Sequence, residues 1–293
     1  MKKIKQDNSI KGQALSGWLF CMPWIIGFCV LTLYPIIMSL VFSFSDVFVK
    51  PSGLEINGVG FSNYIYAIVQ DSEFTTVIQQ YITKILLYVP VIMVVSLILA
   101  MLLNNKLKGT AFFRTIFFLP VIITSGPVIE LFISQGVAAF PGIAEMFNFE
   151  QMASVLPQFV IDALQFLTSE FIMILWFSGI QILVFMTGLQ KIDKNMYEAA
   201  AIDGAGAWER FWKITLPAIN PTLVINVIFT VVMQSIFSLN PIIIKIAKDM
   251  NATGDGAGYG YASAMSWLYF VVLIIILVLF VLIFKAKKKG ARQ

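Results

Sequence analysis

Asn226, Thr230, Gln234 and Ser238 recur every four residues inside the apolar run 222–244 of this 293-residue chain. At about 3.6 residues per turn, that spacing draws one slowly drifting polar stripe along a helix. Amides and hydroxyls set in hydrocarbon gain by bonding to protein, water or a solute. A solute rich in hydroxyl groups would find both donors and acceptors there. Phe229, Met233 and Phe237 flank the stripe with aromatic and polarisable surface. Gln181 is the matching polar residue in the apolar run 171–189. The plainer chemistry of the same stripe is hydrogen bonding between neighbouring membrane helices, and the sequence leaves both readings open.

No other constellation reads as catalytic. The chain contains no histidine, which removes the commonest general base and the commonest metal ligand together. Its two cysteines, Cys21 and Cys29, lie within an apolar run and are expected to behave as small apolar side chains. Gly254, Gly256, Gly258 and Gly260 have the density of a phosphate-binding loop. No Lys-Ser or Lys-Thr follows them, however, and no strand–turn–helix context surrounds them. The expectation is a chain that is not an enzyme and carries no metal or cofactor of its own.

The elements that must hold the stripe are membrane helices. Hydrophobic residues make up 59% of the chain and charged residues 12%, against about a quarter charged in a soluble domain. The mean hydropathy is +0.86. Together these describe an all-α polytopic membrane protein rather than a soluble fold. Six transmembrane helices are expected, at 14–45, 76–103, 115–139, 171–189, 222–244 and 263–284, in a single domain over 1–293. The uncharged run 12–45 far exceeds the roughly 7–15 residues of a signal-peptide core. It is therefore expected to remain as the first membrane helix, with Pro23 and Pro35 as kink or boundary points.

The net charge of +4 matters less than its placement. Lys2, Lys3, Lys5 and Lys11 precede the first span, and Lys106, Lys108 and Arg114 lie between the second and third. Lys191, Lys194, Arg210 and Lys213 lie between the fourth and fifth, and Lys285, Lys287, Lys288, Lys289 and Arg292 close the chain. The intervening loops hold only Lys50, Lys245 and Lys248. The positive-inside rule puts both termini and the segment 191–221 in the cytoplasm. Because these charges are scattered over the ends of spans, no nucleic-acid partner is expected.

The segment 191–221 is the most polar long interval in the second half of the chain. It has the grammar of two short helices and a hinge. Asn195 with Glu198 reads as a capping box, Ala199, Ala200 and Ala201 are strong helix formers, and Gly204 is placed to stop the helix with a left-handed turn. A second helix would carry Trp208, Phe211, Trp212 and Leu216 on one face. Pro217 is expected to end it, and Pro221 to start the next span.

The run E-A-A-A-I-D-G-A from Glu198 to Ala205, followed by Phe211, Ile214, Leu216, Pro217 and Pro221, closely resembles the EAA loop of bacterial ABC importer permeases. The stretches W-L-F-C-M-P-W-I-I-G-F, L-Y-P-I and S-F-S-D near the start resemble the opening of the maltose-type permease subunit, and W-F-S-G-I-Q with G-L-Q-K-I-D resembles the family's approach to the loop. The threonine-glycine-glycine-proline signature usual in the last outer loop is missing. The resemblance implies a type I ABC importer permease fold with cytoplasmic termini in a bacterial cytoplasmic membrane. It implies that Tyr197, Glu198, Ala199, Ala200, Asp203, Gly204 and Ala205 dock on a separate ATPase, where ATP and Mg would bind. It implies as partners a second, similar permease in a heterodimer, two copies of the ATPase, and an extracytoplasmic solute-binding protein that delivers a carbohydrate, an oligosaccharide foremost. Gln181, Thr230, Met233 and Gln234 fall at or near positions that contribute to the sugar site in maltose-type permeases.

Two charges lie within expected spans. Lys84 is expected at the outer boundary, snorkelling to water, or else sharing a pathway-facing stripe with Gln80 and Tyr88. Glu130 would lie about 20 Å above the cytoplasmic edge by helix rise, facing protein or water and pairing with Lys84. Two other readings stay open. A glycerol phosphate or polyol permease should want a cationic pocket, for which Lys84 is the one candidate. An autonomous ion-coupled transporter should show paired acids or bases in mid-membrane.

Overall fold

The computed structural model describes residues 17–50, 53–104, 156–252 and 256–286. Among these, five helices are long and apolar enough to cross a bilayer. The expected third span, 115–139, with Glu130, lies outside the described residues. The described residues fall into two compact units, one within Met1–Ile78 and Ile242–Val271, the other within Gln79–Pro241 and Val272–Gln293.

In the first unit, helix α1 runs Gly17–Ser43. Trp18, Phe20, Trp24 and Leu31 are all exposed on it, as befits a helix solvated by lipid or another apolar surface rather than by water. A π-helical turn at Cys29–Leu33 widens α1 just before Pro35, and the Tyr34 N–H donates to the Cys29 carbonyl across it. Pro35 thus falls at the start of a fresh α segment, where its missing N–H leaves no gap. Strands β1 (Ser45–Lys50) and β2 (Gly53–Gly58) follow as an antiparallel hairpin, registered from Ser45 opposite Gly58 to Lys50 opposite Gly53. This is a small departure from the all-helical expectation, made by the alternation in Ser-Asp-Val-Phe-Val-Lys. A short helix α2, Ser62–Ile65, runs into a π turn over Tyr66–Gln70.

The glycine-rich segment has a packing reason. A Cβ on Gly260 would lie 1.9 Å from the Ser45 carbonyl oxygen, and one on Gly256 would lie 2.2 Å from the Tyr66 ring. At Gly260 backbone meets backbone, and at Gly256 backbone meets an aromatic ring, so a Cβ has no room at either.

Helix α3, Ser72–Asn104, is the longest and carries Pro90 within it. In the second unit, α4 (Gln158–Ser169) is a separate helix ahead of α5 (Phe171–Gln190). Helix α6 spans Lys194–Ile202 and α7 spans Ala207–Ser235. Helices α8 (Pro241–Met250) and α9 (Gly258–Ala286) complete the order.

Helix α7 corrects two boundaries. Pro217 does not end a short helix and Pro221 does not begin a new one, because a single helix passes through both. A π turn at Phe211–Thr215 shifts the hydrogen-bond ladder, so that the Leu216 N–H donates to the Phe211 carbonyl. Pro217 then sits in the first turn of the α segment that follows. Its absent N–H costs nothing there. Pro221 lies inside the same α segment, as proline is tolerated in membrane helices. At the other end, α7 stops at Ser235 instead of running to residue 244. Residues 236–240 form a turn in which Asn240 Nδ2 donates to the Ser235 carbonyl. Pro241 opens α8 and pushes the residue before it out of the helical region.

Candidate functional site

The polar stripe of α7 divides into three fates. Asn226 and Thr230 are fully buried, as is Gln181 on α5. Gln181 Nε2 donates to Thr230 Oγ1 at 2.8 Å, Asn226 Nδ2 donates to the Gln181 carbonyl at 3.2 Å, and Thr230 Oγ1 donates to the Asn226 carbonyl at 2.8 Å. Farther along, a Cβ on Gly188 would lie 2.7 Å from Thr222 Oγ1. These contacts clasp α5 and α7 as a close antiparallel pair, the interhelical use of such residues. Gln181, Asn226 and Thr230 are thus joined as an interhelical clasp, the plainer of the two readings of the stripe. Ser238 lies exposed in the turn after α7, off the helix that was to carry it.

Gln234 has the third fate. It lines a cavity of about 230 Å³ with Tyr81, Lys84, Tyr88, Phe177, Phe237 and Asn240. Its Nε2 is buried with no hydrogen-bond partner among the described residues, so a donor stands unspent at the cavity. Phe177 and Phe237 meet edge to face with centroids 5.3 Å apart. Met233 is half-buried on the same helix but is not among the cavity's lining residues.

Lys84 closes one side of this cavity. Its Nζ lies 3.0 Å from Glu170 Oε1 and 5.0 Å from the centre of the Tyr88 ring. The Tyr88 hydroxyl donates to the other oxygen, Glu170 Oε2, and the Tyr88 ring packs edge to face on Phe166 at 5.3 Å. Lys84 thus meets an acid on the residue that caps α5; its expected partner, Glu130, lies outside the described residues. Sequence reasoning singled out Lys84 and Tyr88 by their spacing but missed Glu170. That carboxylate is 86 residues from Lys84, and only the packing of α3, α4 and α5 brings the two together.

The segment 191–221 is an elbow. Its first helix, α6, is capped by Asp193, whose Oδ1 accepts from the Asn195 N–H at 3.0 Å. The cap therefore lies two residues ahead of the expected Asn195, because Asp193 offers a carboxylate to the first free N–H groups. At the other end, Gly204 has φ +80°. The Ala205 N–H donates to the Ala200 carbonyl at 2.9 Å and the Gly204 N–H to the Ala201 carbonyl at 3.1 Å, the paired bonds of a Schellman stop. Glu198, Ala199, Asp203 and Gly204 are exposed, and Tyr197, Ala200 and Ala205 are half-buried. Ile202 is 87% exposed and Met196 50%, so α6 shows apolar side chains on a helix otherwise built for water. A Tyr197–Thr215 hydroxyl contact of 2.8 Å ties α6 to α7. Trp208, Phe211 and Trp212 cluster with ring centroids 5.3–6.3 Å apart.

The first unit holds a third polar cluster. Lys245 on α8 is nearly buried and bridges Asp71 Oδ2 at 3.1 Å, Glu73 Oε2 at 3.1 Å and Asp249 Oδ2 at 2.9 Å. The Tyr261 hydroxyl donates to Asp71 at 2.6 Å, and the Phe74 N–H donates to its other oxygen at 2.8 Å. Burial alone would raise the Asp71 carboxyl, but the bonds from Tyr261, Phe74 and Lys245 outweigh it and hold the group below its ordinary range. Burial would likewise lower Lys245, and its bonds to Asp249, Asp71 and Glu73 instead raise it. Among the described residues no group of His, Cys, Asp or Glu is arranged to hold a metal ion.

These features can be set beside known proteins. No protein-family model matches the chain. It is 32% identical over 235 residues to a probable ABC transporter permease protein, YesP, of Bacillus subtilis, covering 80% of this chain and 73% of that one. The chain belongs to the ABC transporter permeases. Another permease, the arabinooligosaccharides transport system protein AraP of Halalkalibacterium halodurans, is 31% identical over 227 residues, 76% of this chain and 69% of that one. Among solved structures, a chain of a bacterial ABC transporter involved in the import of the acidic polysaccharide alginate shares the fold, with a TM-score of 0.57 at 19% identity over 99% of this chain and 100% of that one. The permease is an integral membrane protein, and its role is that of a transport component.

Proposed function

We propose that this permease is one transmembrane half of an ATP-driven importer for a carbohydrate, an oligosaccharide delivered by an extracytoplasmic solute-binding protein. A second, similar permease completes the pathway. Two copies of an ATPase, carrying ATP and Mg, sit on the cytoplasmic side, where the elbow 191–221 and both termini also lie. Tyr197, Glu198, Ala199, Ala200, Asp203, Gly204 and Ala205 form the docking helix and its stop. Exposed Ile202 and Met196 beside the exposed acids Glu198 and Asp203 support that use. A helix with unspent apolar side chains and charges is suited to a partner's cleft.

The observation that carries the carbohydrate reading is the cavity around Gln234. It joins the edges and faces of Tyr88, Phe177 and Phe237 to a buried amide donor and to the Lys84 ammonium, itself paired with Glu170, the mixture that hydroxylated rings require. Gln234 is the pathway residue of α7, and Met233 lies beside it. The arabinooligosaccharide relative points to the same substrate class. A glycerol phosphate is disfavoured, since Lys84 is already neutralised by Glu170. The cavity is therefore not the cationic one that a phosphate wants.

The test is reconstitution with the partner permease, ATPase and binding protein in proteoliposomes. Accumulation of a labelled oligosaccharide should require ATP and the binding protein. Accumulation driven by an ion gradient without ATP would overturn the reading in favour of an autonomous ion-coupled transporter.

A further inference from the structure

We infer that Glu170 sets the charge selectivity of the Gln234 cavity, cancelling Lys84 so that the site accepts uncharged sugars and refuses sugar acids. The inference rests on that cavity being the sugar site. Among the described residues Lys84 is the one cationic side chain lining it. Standing alone, an ammonium beside aromatic walls and a buried amide would draw a uronate carboxylate, since opposite charges attract. Glu170 prevents this from 3.0 Å away. Glu170 acts through Lys84 and does not itself line the cavity: an incoming carboxylate meets an ammonium already paired with a like charge, and such like-charge opposition is a means of rejecting the wrong partner.

The geometry gives the pair an asymmetric build. Glu170 is held from two sides, by Lys84 on one oxygen and by the Tyr88 hydroxyl on the other. Tyr88 is 2% exposed and pinned against Phe166, so the carboxylate stays in place when Lys84 moves. Lys84 has a side chain 53% exposed and a flexible stem, so its ammonium can turn to a substrate hydroxyl without giving up Glu170. A neutral sugar, whose hydroxyls accept as well as donate, meets Lys84 without opposing its acid. A sugar acid does not.

The inference is tested on the assembled importer in nanodiscs without its binding protein, so that selection by that protein does not enter. The probes are matched trisaccharides of glucose and glucuronate, galactose and galacturonate, and mannose and mannuronate. Equilibrium affinities are measured for each pair, and the readout is the ratio of neutral to acidic affinity. The wild-type protein should prefer the neutral member. Glu170→Gln, which keeps a hydrogen-bonding group beside Tyr88 but frees Lys84, should move the ratio toward the acid by about tenfold or more. Lys84→Met should move it the other way. The double variant, Lys84→Met with Glu170→Gln, should return it to the wild-type value. A merely structural ion pair would weaken both members of a pair equally and leave the ratio unchanged in every variant, which overturns the inference while leaving the sugar site standing. Binding of no pair to any form of the complex would overturn the sugar site itself.

Discussion

Gly204 and Gly260 show two different reasons for glycine. At Gly204 the backbone takes φ +80° and a Cβ would meet nothing within 4 Å, so the requirement is conformational. At Gly260 the requirement is space, since a Cβ would lie 1.9 Å from a backbone oxygen of β1. A backbone carbonyl cannot swing aside as a side-chain tip can. Gly260→Ala should therefore cost about 1–3 kcal/mol, the usual toll of overpacking, and lower the thermal midpoint in detergent by several degrees. Gly58→Ala, with open space around it, is the control and should leave the midpoint unchanged; equal midpoints for both variants would contradict the packing account. The first of these glycines was legible in the sequence because its reason is local: an alanine run, an acid, then glycine. The second was not, because its reason is a strand far away in the chain. The polar stripe was partly legible at the same scale. Spacing by four placed Asn226, Thr230 and Gln234 along one helix, but could not say that α5 would cover the first two and leave the third beside a cavity.

Among the elements, α8 depends on charge. Its Lys245 is the shared cation of Asp71, just before α3, and of Asp249 and Glu73. Lys245→Met should destabilise this unit by about 3 kcal/mol, the cost of leaving the nearly buried Asp71 and Asp249 without their partner. The cluster also fixes a pH response. Asp71 is held below its ordinary carboxyl value of 3.8, so its contribution is complete above that value and is lost as pH falls through the lowered folded one. Lys245 is held above its ordinary 10.5, so its contribution is complete below that value and is lost only as pH rises through the still higher folded one. Thermal stability should be flat between these limits and fall in acid, and Asp71→Asn should flatten the acid fall. An acid limb identical in that variant and in the wild type would remove Asp71 from the account. Hydropathy located the apolar runs well, since each must be about 20 residues long to cross the bilayer. It misplaced the ends of α7. The wide turn at Phe211–Thr215 that lets a helix absorb Pro217 has no composition of its own, and the stop at Ser235 lies within an apolar run that reads straight on into Ile242, Ile243 and Ile244.

For the whole molecule, the permease in the role proposed above is a passive half of a pathway, worked by a separate ATPase. The clasp of α5 on α7 and the Tyr197–Thr215 contact join the elbow to the helix that carries Gln234. In the proposed mechanism a pull on α6 would be delivered along these contacts to the wall of the cavity. The fold class and the elbow were readable because both rest on local patterns, apolar length in one case and a run of alanines with a glycine stop in the other. The cavity was only half readable, because the acid that pairs with its Lys84 and Tyr88 comes from a different part of the chain. The most direct measurement is ATP-dependent uptake by the assembled complex carrying Gly204→Asp. The position is exposed and sterically open but demands a left-handed backbone, so the substitution disturbs the elbow without invading the membrane core. The chain should reach the membrane in normal amount and bind sugar as before, while uptake falls to background and the ATPase is held more weakly. Normal uptake by that variant in an intact complex would contradict the claim that the elbow is the lever.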